Sequence, residues 1–139
     1  MTKEEIHRIC KEYGIKNYTI NPDGSIDVDG NVELGALNLN KIPLKFNNVS
    51  GYFNISSNNI TSLEGFPKEV GDSVHCSYNK ISTFEYFPNK INKNIYMYEN
   101  PLESLEGFYG DYNMLHCDNK DGLILKLKRK EKFKIIGKL

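Results

Sequence analysis

The chain is expected to fold as a solenoid of short stacked strands, mainly β, and three features of the sequence point there. The first is a period of 21 residues. It aligns Val32, Phe53, Val74 and Ile95 in one apolar column and Leu34, Ile55, Cys76 and Met97 in a second. Leu39, Ile60, Ile81 and Leu102 make another column, as do Ile42, Leu63, Phe84 and Leu105, and Val28, Val49, Val70, Ile91 and Tyr112. The second is a polar column, Asn58, Asn79 and Asn100, accompanied by Phe66, Phe87 and Phe108. The third is the string Ser-Leu-Glu-Gly-Phe, which occurs at 62–66 and again two periods later at 104–108. A period of this length is one supersecondary unit stacked on itself, so each copy buries its apolar side chains against the next.

The N-terminal block comes first. Lys3 to Tyr13 is expected to be a helix: Thr2 and Glu5 make a capping box, and Ile6, Ile9, Cys10 and Tyr13 share one face. Gly14 ends it. Tyr18–Ile20 and Ser25–Val28 flank Asn21-Pro22-Asp23-Gly24, a turn sequence between two short strands. Residues 1–27 therefore form the N-terminal helix-and-hairpin cap of a single domain spanning 1–139.

Residues 28–119 hold the repeats, about five of them. Each has the pattern Φ-x-Φ-x-x-Asn-x-Φ-x-x-Φ. The alternation at its front predicts a short strand with one face in the core. The Asn turns the chain, because its side chain bonds nearby backbone and it tolerates left-handed geometry. Pro67 and Pro88, at matching positions, stiffen the irregular return. The first unit has Leu37 where the Asn belongs. The last is one residue short, with Leu115, His116 and Cys117 matching Val74, His75 and Cys76 at a spacing of 41.

The spacing resembles a leucine-rich repeat in a short version, and it departs at the first position, where Ser50, Gly71 and Asn92 stand. The phrases IKNYTINPDGSIDVDGNV, NLNKIPLKFNNVSGYF and SLEGFPKEVG resemble the short, Asn-rich leucine-rich-repeat proteins of tailed phages and some bacteria. The resemblance implies a leucine-rich-repeat solenoid. It also implies that a phage-encoded chain would work in the host cytoplasm, against a host or defence protein.

After Gly122 the sequence LILKLKRKEKFKIIGKL alternates Leu123, Leu125 and Leu127 with Lys126 and Lys128. It then alternates Phe133 and Ile135 with Lys132 and Lys134. Strand periodicity predicts a basic C-terminal strand over 120–139 that caps the solenoid. Two roles stay open: an edge strand or hairpin whose Lys block edge-to-edge pairing, or a basic patch (Lys126, Lys128, Arg129, Lys130, Lys132, Lys134) for nucleic acid or an acidic partner. The net charge of zero hides an imbalance behind this. Residues 120–139 carry eight Lys or Arg against two acidic residues, a net of +6, and the other ten basic and sixteen acidic residues give −6.

With 39% hydrophobic and 26% charged residues the composition is that of a folded globular chain. No apolar run approaches the roughly 20 residues of a membrane helix. MTKEEIHRIC has no signal core, so a cytoplasmic protein without membrane partners is expected. His75-Cys76 and His116-Cys117 resemble metal-ligand pairs, but neighbouring strand residues face opposite ways, which puts each His outside and each Cys inside. Cys76 and Cys117 lie two strands apart, roughly 10 Å, beyond disulfide reach. There is no nucleophile–base–orienter set, phosphate loop or dinucleotide fingerprint. The chain is therefore expected not to be an enzyme, and no metal or cofactor is expected.

The outward columns of the strands remain. One holds Glu33, Asn54, His75, Tyr96 and His116; a second holds Tyr52, Ser73, Asn94 and Met114; a third holds Ser56, Ser77, Tyr98 and Asp118. Tyr78 and Glu99 lie at the rim. An ordinary polar sheet face would satisfy this pattern. The enrichment in Tyr and His favours a protein-binding surface at Tyr52, Asn54, His75, Tyr96, Tyr98, His116 and Asp118, since these side chains add rigid area and a hydrogen-bonding tip.

Overall fold

The computed structural model describes residues 1–91 and 93–137. It shows a β-solenoid of about four turns with a helix at each end. Helix α1 (Lys3–Glu12) starts at Thr2, whose hydroxyl accepts from the Glu5 N–H at 3.2 Å. Ile6 and Cys10 are buried, and Gly14 leaves the helix at φ +67°. Strands β1 (Tyr18–Ile20) and β2 (Ile26–Val28) pair antiparallel. In the turn between them Asp23 accepts from the Ser25 hydroxyl at 2.6 Å and from the Ser25 N–H at 3.0 Å, and Lys45 reaches it at 3.1 Å. Those bonds hold the Asp23 carboxyl well below the usual carboxylate range.

The solenoid carries two parallel ladders. Strands β3 (Val32–Glu33), β5 (Phe53–Asn54), β7 (Val74–His75), β8 (Ile95–Tyr96) and β9 (Leu115–His116) form a five-stranded sheet. Its register steps by 21 residues from Val32 to Phe53, Val74 and Ile95, and then by 20 to Leu115. The short last unit is therefore absorbed without losing the columns. The second ladder continues the hairpin: β2 pairs parallel with β4 (Phe46–Val49), and β4 with β6 (Glu69–Val70). Sequence periodicity placed only irregular return segments there. β4 reads Phe-Asn-Asn-Val, with its buried residues three apart, and β6 is only Glu-Val, so neither shows an apolar–polar alternation, and their only trace is the Val28–Val49–Val70 column. The reading of Asn92 as a repeat position lies outside the described residues, as do residues 138–139.

Between the ladders the aromatic core is continuous. Phe46 and Phe53 meet at 5.0 Å between centroids, Phe53 and Phe66 at 5.1 Å, and Phe66 and Phe87 at 5.1 Å. Phe84 and Phe108 continue it at 5.2 Å. Edge and tilted contacts of this kind add to the area they bury.

The asparagines do more than turn the chain. The Asn58 amide donates to Leu34 O at 2.8 Å and Ile55 O at 3.0 Å; its oxygen accepts from Leu39 N at 2.9 Å and Leu37 N at 3.1 Å. Asn79 donates to Ile55 O at 2.9 Å and Cys76 O at 3.1 Å and accepts from Ile60 N at 3.0 Å. Asn100 donates to Cys76 O at 3.0 Å and Met97 O at 3.2 Å and accepts from Ile81 N at 3.0 Å. Each shared carbonyl thus holds its own turn's asparagine and the next one's. The left-handed geometry expected at the asparagine falls one residue earlier. Ala36, Ser57, Tyr78, Glu99 and Asn119 all lie between φ +53° and +60°. That bend frees the asparagine side chain to enter the core. A second left-handed column holds Gly65, Tyr86 and Gly107, at φ +91°, +70° and +90°.

The C-terminal segment is a helix, α2 (Lys120–Gly137), and not the strand that alternation suggested. Leu123 and Leu127, four residues apart, turn to the solenoid with Ile124, while Leu125 is 49% exposed. The same leucines fit a strand or a helix. The high helix propensity of Leu, Lys, Arg and Glu, and the space over the last turn, decide for the helix. The Lys120 ammonium donates to Tyr112 O and Leu115 O at 3.1 and 3.0 Å, tying the helix start to the final turn.

Asn79→Ala is expected to cost about 2–4 kcal/mol of folding free energy, because it orphans the Ile60 N–H and thins two carbonyl partners. The half-buried Asn59→Ala, which loses only a bond to the neighbouring turn's Asn38, should cost under about 1 kcal/mol; urea denaturation measures both. Tyr86→Gly should raise stability by about 1 kcal/mol, since glycine removes the left-handed penalty. A lowered thermal midpoint would contradict it.

Candidate functional site

The register builds the outward face as columns: Glu33, Asn54, His75, Tyr96 and His116 are successive neighbours across the five strands. Strand spacing of about 4.8 Å sets the distance between their side chains. His75 and Tyr96 stack at 5.1 Å with planes 14° apart, and Tyr96 and His116 at 4.9 Å with 17°. Tyr52 meets His75 edge-on at 6.2 Å. Centroid separations this close to the strand spacing mean that the rings lie one above another along the solenoid axis. Within the row the facing sides of the rings are taken up by one another.

The two ends of the face differ. At the N-terminal end Glu33 accepts from the Tyr52 hydroxyl at 3.0 Å, the Asn54 amide at 2.7 Å and Gly35 N at 3.1 Å. That carboxylate holds the Tyr52 hydroxyl above its ordinary pKa. Asn54 also accepts from the Ser56 hydroxyl at 2.6 Å. Tyr52 and Asn54, both expected binding residues, are therefore engaged within the face. His75 bonds the Ser73 hydroxyl at 2.8 Å, and His116 bonds Asn94 at 3.0 Å. Toward the C-terminal end the margin opens. Tyr98 is 42% exposed, Tyr78 is 62% exposed, and Asp118 is exposed and accepts from Glu99 N at 2.7 Å. Of the expected residues, Tyr96, Tyr98, His116 and Asp118 lie together in the more open half.

The basic residues are not a flat patch. On α2, Lys126 donates to Glu103 O at 2.8 Å and Lys130 pairs with Glu106 at 2.6 Å. The Lys130 ammonium, with Lys134 nearby, holds the Glu106 carboxyl below its usual range. Lys128, Arg129 and Lys132 are exposed. Sequence reading missed the pairing with Glu106, because a strand would have put these lysines beyond its reach.

Among the described residues no group of three or more His, Cys, Asp or Glu side chains converges on a metal-sized site. Cys10, Cys76 and Cys117 are free and buried, and Met97 occupies the register position between Cys76 and Cys117. Burial pushes all three thiols up, Cys76 most, which suppresses the reactive thiolate. Among the described residues no helix is long and apolar enough to cross a membrane.

Comparison with protein-family models, curated proteins and solved structures finds no match to the chain.

The three thiols should resist a thiol reagent such as DTNB in the folded protein and react together once it unfolds in denaturant. Rapid native labelling of Cys76 would show that its column does not face the core.

Proposed function

We propose that the chain is a non-enzymatic protein-binding module that works through the outward face of its five-stranded sheet. The observation that carries the reading is the His75–Tyr96–His116 stack with Tyr98 and Asp118 beside it. The middle ring of the stack, Tyr96, has both faces occupied by histidines. The three rings offer a rigid row of hydrogen-bonding edges, and rigid aromatic anchors are what protein interfaces concentrate their energy on. The hot spot lies at Tyr96, Tyr98, His116 and Asp118, with Tyr52 and Asn54 as a pre-ordered margin.

The 21-residue units are, on this reading, short leucine-rich repeats of the kind that the Asn-rich phrases resemble. The partner is then a host or defence protein that a phage-encoded chain blocks in the host cytoplasm. A second reading gives α2 an acidic partner or nucleic acid. The exposed Lys128, Arg129 and Lys132 favour it. The net −6 of residues 1–119 repels an extended nucleic acid and narrows that reading to α2.

Changing His75, Tyr96 and Tyr98 together to Ala should abolish capture of a partner from host lysate while circular dichroism and the thermal midpoint show an intact fold. Undiminished capture by the folded triple variant would remove this face from the account.

A further inference from the structure

The second half of α2 is exposed on every side. Residues 128–137 are all exposed, with Phe133 at 72% and Ile135 and Ile136 also exposed as large apolar side chains. A helix owes most of its stability to packing, so a bare stretch with three large apolar side chains lacks a partner. Its charge says which chemistry covers it. Lys128, Arg129 and Lys132 form no ion pair among the described residues.

The matching surface is on the chain itself. The return turns stack Glu64, Glu85 and Glu106 at the 21-residue period, in one acidic column. Lys130 neutralises Glu106 at 2.6 Å; Glu64 and Glu85 are exposed and have no cation within ion-pair distance among the described residues. Beside them stand two bare tyrosines, Tyr86 at 55% and Tyr109 at 74% exposed. A cleft of about 400 Å³ opens between this edge and α2, lined by Phe108, Tyr109, Leu127 and Lys130 among others. The intramolecular contact shows how the two surfaces meet: Lys126 and Lys130, four residues apart on α2, sit on Glu103 O and Glu106. Arg129 and Lys132, three apart, have side chains about 5–6 Å from each other. That matches the rung spacing of about 4.8 Å between Glu64 and Glu85.

We propose that the exposed side of α2 docks on the return edge of a second copy of the chain. Arg129 and Lys132 meet the partner copy's Glu64 and Glu85, and Phe133 and Ile136 cover its exposed tyrosines and enter its cleft. Lys130 on Glu106 sets α2 against the last member of the acidic column, so each copy carries both halves on adjoining surfaces, and a reciprocal contact closes as a two-fold dimer. The sheet face is left free, so this association is independent of partner capture.

Sedimentation velocity of the full chain across concentration and salt tests this. Wild type should shift from monomer to dimer with concentration, and the dimer should weaken as salt rises. Arg129→Glu/Lys132→Glu and Glu64→Lys/Glu85→Lys should each be monomeric, since all four residues are exposed and the folds should survive. An equimolar mixture of the two variants should recover the dimer, because the reversed charges are again complementary. A wild-type chain still monomeric at about 1 mM, the dissociation constant of a very weak association, overturns the proposal. So does a mixture that stays monomeric while wild type dimerises. A third overturning result is a monomeric wild type whose retention of a DNA oligonucleotide is lost in Arg129→Glu/Lys132→Glu, which would make α2 a nucleic-acid element.

Discussion

The solenoid rests on one repeated interaction, a side-chain amide, buried at Asn58 and Asn79 and half-buried at Asn100, shared between consecutive turns. Asn58, Asn79 and Asn100 each offer two N–H groups and a carbonyl oxygen where the backbone bends and would leave polar groups unpaired in the core. A buried orphan amide is costly. Satisfying it with a side chain fixed by the neighbouring turn makes each turn's fold conditional on the next. The chain of bonds from Leu34 O through Asn58, Ile55 O, Asn79, Cys76 O and Asn100 holds the turns in register.

Register is what gives the outward face its form. Because the turns repeat without slip, His75, Tyr96 and His116 arrive above one another at ring-stacking distance. A one-residue slip would bury them and expose Val74, Ile95 and Leu115 instead. The same constraint aligns the thiols inside and the carboxylates Glu64, Glu85 and Glu106 along the return edge. The face and the edge are thus two consequences of one stacking rule. The binding role of the face and the self-docking role of the edge are separate proposals built on it.

Much of this was legible in the sequence because the period does the aligning. The columns through Val32, Leu34, Leu39 and Ile42 point inward as expected, and the N-terminal cap and the short final step at Leu115 follow the residues that suggested them. Three things were not legible. The second ladder runs through Phe46-Asn-Asn-Val49 and Glu69-Val70, whose apolar residues do not alternate with polar ones. The left-handed residue precedes the asparagine, and Tyr78 and Glu99 carry no compositional sign of that backbone. The leucines of α2 satisfy both strand and helix spacing, so only the surface they cover could choose between them. The face residues are half-buried or exposed, opposite the buried Val74, Ile95 and Leu115. Their internal commitments, Tyr52 and Asn54 to Glu33 above all, depend on cross-turn distances that a single strand's sequence does not contain.

The amides of Leu39, Ile60 and Ile81 lie outside the strands, in segments where backbone N–H groups ordinarily exchange fast. Each donates to an asparagine side chain of the following turn. Residue-resolved hydrogen–deuterium exchange of the folded chain therefore tests the account at its centre. If the amide ladder holds the solenoid, these three should exchange as slowly as the amides of Ile55 and Cys76, which donate to the next turn's His75 O and Tyr96 O just past the strands, and open only with global unfolding. Exchange as fast as that of exposed turn amides would show that the asparagines do not bind the turns together.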